Sequence, residues 1–172
     1  MPKQYHGRFD GEKCVCLVED TDEINDLSNR WFGRIEDNAL VLDIVEVAYL
    51  LLSGRLVIET VGNKIISDLD SLLDDYYACF REFFWPKLIV YKDLRDRGRR
   101  VRIVGENRFI VRDKHGALRL VFILEEGRQI SIDDLVNYVD VSMDNGLVPV
   151  FAIVSLQGDL TYYEVTRTEP TK

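Results

Sequence analysis

Apolar and polar positions divide the chain into short alternating strands and a few helices of period 3.6. Val148–Val154 is an apolar run rich in β-branched residues and too short for a helix. Ser155-Leu156-Gln157-Gly158-Asp159 supplies turn residues, and Leu160–Val165 returns as a second strand, so this stretch predicts a β-hairpin. Upstream, Ile44, Val47, Ala48 and Leu51 recur at i, i+3, i+4 and i+7, the signature of one helix face. Asp43 with Glu46 forms a capping-box pattern at its start, Gly54 is a natural stop, and Arg55–Val61 reads as a strand. Leu69, Leu72, Leu73, Tyr76, Phe80 and Phe83 predict a further helix with a core-packing aromatic stripe, capped by Ser67 or Asp70. Trp85-Pro86 marks a boundary, with Pro86 opening a helix that runs to Arg97 and stops at Gly98.

Strands are expected at Arg108–Val111 and Leu118–Leu124. A short helix over Ile130–Val139 is capped by Ser131 with Asp134 and faces its core with Ile132, Leu135, Val136 and Val139; Val141 then begins the run toward the hairpin. The first 26 residues are harder to place. Lys13–Val18 suggests a strand, Glu19–Asp26 a solvated acidic loop, and His6 an isolated exposed side chain. The fold class is α/β (α+β), in two small domains, 1–84 and 85–172, the second built on a mixed sheet with flanking helices.

Composition narrows the function. The chain has 172 residues and a formal charge of −8, a poor balance for a free-standing nucleic-acid binder and a better one for contact with a basic protein. Cys14, Cys16 and Cys79 lack the spacing of a structural zinc site and read as buried or indifferent thiols. Neither a signal peptide nor an apolar run of membrane-spanning length is evident, which predicts a cytoplasmic protein.

Three segments resemble the archaeal tRNA-splicing endonuclease family. FGRIEDNALVLDIVEVAYLLLSGRLVI is similar to its N-terminal domain, which shows a G-R motif, a leucine strand, a V-E-A-x-Y-L-L helix and G-x-L; the chain departs from this at Val47. FWPKLIVYKDLRDRGRRV resembles the family's entry into its C-terminal domain, and VPVFAIVSLQGDLTYYEV its C-terminal hairpin. The resemblance covers about residues 27–172 and is most specific at 40–58, 85–98 and 148–165. It implies the endonuclease (restriction-endonuclease-like) fold for the second domain. Members of that family cut pre-tRNA at intron boundaries without a metal, leaving a 2′,3′-cyclic phosphate and a 5′-hydroxyl, so the resemblance places this chain in such a complex without a cofactor.

In that family a Tyr, a His and a Lys serve as base, acid and cationic stabiliser. Phe109-Ile110-Val111-Arg112 is similar to the family's F-R-V-Y, which puts Arg112 at the Tyr position. Leu120-Val121 aligned with the end of H-S-x-Y-L-V puts Gly116 at the His position. Leu147, followed by Val148, falls at the Lys position, and no lysine lies between Lys114 and Lys172. A guanidinium does not deprotonate in proteins, so Arg112 cannot be a general base. The resemblance therefore implies a structural subunit that joins a catalytic partner in a heterodimer and then a heterotetramer. Gly158 and Asp159 would enter a basic pocket of an opposing subunit, and Leu160, Tyr162, Tyr163 and Val165 would form the dimer contact.

Competing readings keep activity in this chain. His115, one residue from the His position, would act in a rearranged site, or Asp113 with Glu125 and Glu126 would hold a metal. Arg95, Arg97, Arg99, Arg100 and Arg102 form the dense basic run. Alternation puts Arg100 and Arg102 on one strand face, either as phosphate contacts of an RNA-binding surface or, as the preferred reading, as a solvated helix end.

Overall fold

In a computed structural model that describes residues 2–81 and 83–171, the strands gather into two mixed sheets, one in each of two units, Met1–Leu88 and Ile89–Lys172. The first unit begins with β1 (Tyr5–Asp10) and β2 (Val15–Val18), antiparallel to each other. Then come α1 (Thr21–Asn29), β3 (Arg34–Glu36), β4 (Ala39–Asp43), α2 (Ile44–Leu52), β5 (Leu56–Thr60), β6 (Ile65–Ile66) and α3 (Leu69–Tyr76). Its sheet runs β3-β4-β2-β1-β5-β6, with β1 and β5 parallel.

The capping box forms as expected. Asp43 accepts from the Val45 N–H, and the Glu46 carboxylate accepts from Asp43 N–H at 2.9 Å. Glu46 is buried, and its other oxygen takes the Gly33 N–H at 2.9 Å, so one carboxylate ties the helix start to the preceding loop. Gly33 has φ +64, and a Cβ there would lie 2.8 Å from the Val41 carbonyl, so the position admits glycine alone.

Several local expectations change. Glu19–Asp26 is not a loop: Asp20 caps α1 by accepting from Glu23 N–H, and the helix buries Leu27. His6 lies on β1, with its imidazole 3.1 Å from Glu23. Asp68, rather than Ser67 or Asp70, caps α3. That helix ends at Tyr76, which meets Phe9 edge-on at 5.0 Å, so Phe80 and Phe83 lie beyond it. Cys14 and Cys79 are not independent thiols but form a disulfide across a sequence separation of 65. Cys16 alone is a free buried thiol, pushed up to about 12 by burial and so unreactive.

A crosslink closing so long a loop contributes about 4 kcal/mol in the chain-entropy account. The double substitution Cys14→Ala with Cys79→Ala is expected to lower stability by about 2–4 kcal/mol. Urea unfolding of the oxidised protein, the reduced protein and the double variant checks this; the last two should coincide.

α4 (Phe84–Asp96) leads into the second unit, with Pro86 in its first turn, where a missing N–H leaves nothing unsatisfied. There follow β7 (Arg100–Ile103), β8 (Arg108–Arg112), β9 (Leu118–Glu125), α5 (Ile132–Asp144), β10 (Val148–Val154) and β11 (Leu160–Glu164). The sheet order is β11-β10-β9-β8-β7, in which β9 and β10 alone are parallel, joined through α5. One sheet face, carrying Phe109, Val121 and Ala152, is buried with α4; Tyr91 of α4 meets Phe109 edge-on at 5.7 Å. On the other face Leu120, Phe122, Phe151 and Val139 form a cluster, and Phe122 stacks on Tyr138 at 4.3 Å.

Helix α5 is longer than its apolar spacing suggested, and Val141 lies within it. Ser142, fully buried, satisfies its hydroxyl on the Tyr138 carbonyl at 2.8 Å, so a polar residue continues the inward face. Conversely, Ile132, Leu135 and Val136, expected to face the core, are exposed, as is Met143.

Candidate functional site

Arg112, Gly116 and Leu147, expected from the resemblance at the catalytic positions, lie at one end of the second sheet. Arg112 closes β8 opposite Leu118, and Val148 opens β10 opposite Arg119, so Leu147 falls beside Leu118 on the α5 side. Two strand spacings put Arg112 and Leu147 about 10 Å apart at the backbone. Gly116 lies in the turn between β8 and β9.

That turn is built by Asp113. Its N–H donates to the Ala117 carbonyl at 3.0 Å, while its Oδ1 accepts from the N–H groups of His115 at 2.8 Å and Ala117 at 3.0 Å. Arg119 donates to its other oxygen. Desolvation pushes the Asp113 carboxyl up, but the Arg119 and backbone hydrogen bonds outweigh it and hold the group below the ordinary carboxylate value. Gly116 sits at φ +87 in open space, a conformation unfavourable for a side chain. His115 is exposed at the tip of the turn. Leu147, expected at the lysine position, packs against the Leu120–Phe122–Val139–Phe151 cluster in an apolar setting.

The acidic metal site is not assembled. Asp113 precedes β9 and Glu125 ends it, so the two lie ~20 Å apart or more along an extended strand. Glu125 pairs with Arg128 at 2.7 Å, and Glu126 accepts the Leu156 N–H at 3.1 Å. Among the described residues no group of three or more His, Cys, Asp or Glu is placed to hold a metal ion.

The hairpin residues divide between the fold and the surface. Gly158 turns the loop at φ +87 and donates to the Ser155 carbonyl at 3.0 Å; Asp159 N–H donates to Ser155 Oγ at 3.0 Å, leaving the Asp159 side chain exposed. Leu156 stands at the tip, 83% exposed. Tyr162 belongs to the fold: its hydroxyl donates to Asp93 at 2.7 Å beside a cavity of about 350 Å³ lined by Leu94, Arg97, Arg99, Arg119 and Glu164. Burial first, then the Asp93 carboxylate, pushes that hydroxyl well above the ordinary phenol value. Tyr163 points to the α5 side opposite Phe151 and is 54% exposed, whereas Val165 packs against the core cluster.

β11 is a sheet edge. Val165 N–H donates to Pro149 and Ser155 N–H to Asp159, which fixes the ladder's alternation. Thr161 and Tyr163 therefore turn their backbone groups toward β10, and Leu160, Tyr162 and Glu164 turn theirs outward. On the same side as Tyr163, α5 presents Ile132 and Val136, which its helical period alone assigns to the core, together with Met143.

The basic run also divides. Arg95 is buried, donating to the Tyr91 hydroxyl and to the Val101 carbonyl at 2.8 Å. Arg97 pairs with Asp93 at 2.9 Å. Arg100 and Arg102 are exposed on β7, the opposite sheet edge.

No helix among the described residues is long and apolar enough to cross a membrane. Residues 7–72 match the family described as tRNA intron endonuclease, N-terminal domain, and residues 84–162 the one described as tRNA intron endonuclease, catalytic C-terminal domain. A tRNA-splicing endonuclease of Thermococcus kodakarensis is 32% identical over 153 residues, covering 85% of this chain and 89% of the relative. One from Pyrococcus horikoshii is 31% identical over 150 residues, covering 83% and 85%. One from Methanosarcina acetivorans is 32% identical over 146 residues, which span 81% of this chain but 41% of that longer protein. In both domains, and over most of its length, this chain belongs to the tRNA-splicing endonuclease family.

Proposed function

We propose that this chain is a non-catalytic subunit of a tRNA-splicing endonuclease, cytoplasmic and assembled with a catalytic family member in a heterodimer and then a heterotetramer. The observation that carries this reading is the packing of Leu147 into the α5-side core, at the end of the sheet where Arg112 and the Gly116 turn meet it. A guanidinium cannot serve as the base, a left-handed glycine offers no acid, and an apolar plug leaves no cation at the stabiliser's position. The elements suited to joining a partner are intact: the open β11 edge, exposed Tyr163 and the apolar outer face of α5.

Reconstitution tests the reading. Mixing this chain with a family member that retains Tyr, His and Lys should give a stable complex that cuts intron-containing pre-tRNA. If that partner neither binds this chain nor depends on it for cleavage, the reading fails.

The hairpin loop has its own test. Its exposed Asp159 and tight Gly158 turn suit insertion into a basic pocket of an opposing subunit. Charge reversal there would strand the pocket's cations, and breaking a fully buried pair costs about 3–5 kcal/mol. Asp159→Arg is expected to split the heterotetramer into heterodimers and reduce cleavage without unfolding the chain. Analytical ultracentrifugation of the variant complex decides it: an intact, fully active tetramer would make the loop a plain turn.

A further inference from the structure

We infer that the α5-side face of β7 and β8 is a binding surface for RNA phosphates, so that the position of the missing catalytic tyrosine has become part of a cationic dock. The two strands, Arg-Val-Arg-Ile and Arg-Phe-Ile-Val-Arg, hold four arginines, five apolar residues and no acid. Their register places Val101 opposite Val111 and Ile103 opposite Phe109 on the face toward α4. Arg100 opposite Arg112, and Arg102 opposite Ile110, are thereby on the other face. All three arginines are exposed. Arg108 follows on the same face, its guanidinium turned back over Gly105.

Arg100 stands directly across from Arg112 in the antiparallel ladder, so both guanidiniums rise from one face of the strand pair. Arginine, with its planar fork of donors, matches phosphate in a bidentate way that a point charge does not. Neighbouring cations stand ~5 Å apart across the strands and ~7 Å apart along one, an extended array rather than a pocket. This suits a chain of phosphates better than an acidic peptide, which would also seek apolar anchors. In a chain of net charge −8, these two strands alone place Arg100, Arg102, Arg108 and Arg112 on one face.

This inference rests on the subunit reading for its role in the complex, since a short array on an acidic chain contributes to a shared grip on pre-tRNA. Its chemistry is tested separately, on the chain alone. At low salt, fluorescence anisotropy with a short oligouridylate should show weak, salt-sensitive binding. Arg100→Gln/Arg102→Gln/Arg112→Gln should abolish it, and the matching triple lysine variant should retain most of the salt dependence. In the reconstituted endonuclease the glutamine triple should flatten the plot of log affinity for pre-tRNA against log salt by about 2, from ~0.7 per phosphate contact. KM should rise about tenfold, with kcat unchanged. Equal or undetectable oligouridylate binding by wild type and triple overturns the inference and leaves the subunit reading standing. Dissociation of the complex by the triple overturns it too, because the surface would then be receiving an acidic protein segment.

Discussion

Intron-containing pre-tRNA incubated with this chain alone is expected to remain uncut, and addition of a catalytic family member is expected to restore cleavage. Strand scission by the 2′-hydroxyl needs a proton acceptor, a proton donor and stabilisation of the phosphate charge. A positioned acid or base contributes about 10²–10⁴-fold, and one oxyanion-stabilising donor about 10²–10³-fold. Loss of all three should leave a rate at least ~10⁵-fold below a catalytic relative, allowing for non-additivity. Two candidate groups of the second unit are already committed elsewhere: the Tyr162 proton is held by Asp93, and His115 sits on a solvent-exposed turn whose Asp113 carboxylate is engaged by Arg119 and two N–H groups. His115→Ala should accordingly leave cleavage by the reconstituted complex at the wild-type rate. Cleavage by the chain alone, abolished by His115→Ala, would overturn the non-catalytic reading.

The parts of the fold legible in the sequence are those where local chemistry and tertiary packing agree. The Asp43–Glu46 capping box, the Ser131 cap and the apolar β10 run are local signals that packing reinforces. What escaped is what the rest of the molecule imposes. α1 is polar overall, with Ile24 and Leu27 as its apolar residues among acids and amides, so its composition reads as a solvated stretch although one face is buried at Leu27. In β1 only Tyr5 and Phe9 are buried, with Gly7 between them because a Cβ there would meet the Cys16 sulfur at 2.3 Å. Joining Cys14 to Cys79 brings together residues that no spacing rule pairs.

The candidate site shows the same division. Alignment of short motifs indicated where Arg112, Gly116 and Leu147 fall, but not their surroundings. That Leu147 packs in a core cluster depends on β9, β10 and α5 converging. Nor could spacing separate Asp113 from Glu125: twelve positions apart in sequence, they are divided by the full length of an extended strand. The two tyrosines look equivalent in sequence, yet alternation sends Tyr162 to Asp93 and Tyr163 to the surface. The outward turn of Ile132 and Val136 was hidden because an apolar stripe at helical spacing usually means core.

Glu164→Pro is expected to weaken association with the partner subunit about a hundredfold while leaving this chain folded. The Glu164 N–H points away from β10, so proline removes no intrachain ladder bond, and edge strands tolerate proline at such positions. Among the described residues the Glu164 carboxylate makes an exposed 3.5 Å contact with Arg119, worth under ~1 kcal/mol, and Glu164→Ala controls for its loss. A partner strand pairing on this edge would instead lose a hydrogen bond and meet the proline ring. Neighbouring bonds and the burial of Tyr163 would fail with it, weakening binding on the order of a hundredfold, or about 2.7 kcal/mol. The converse substitution is the internal check. Tyr163→Pro removes an N–H that the ladder's alternation directs to β10, and should destabilise the fold itself by ~1–3 kcal/mol. Truncation of Leu160–Lys172 should abolish binding, but it removes Val165 from the core cluster as well, so the proline is the cleaner probe. Size-exclusion chromatography with light scattering gives the result. A Glu164→Pro chain that still elutes with its partner at full stoichiometry and wild-type affinity would place the interface on another surface.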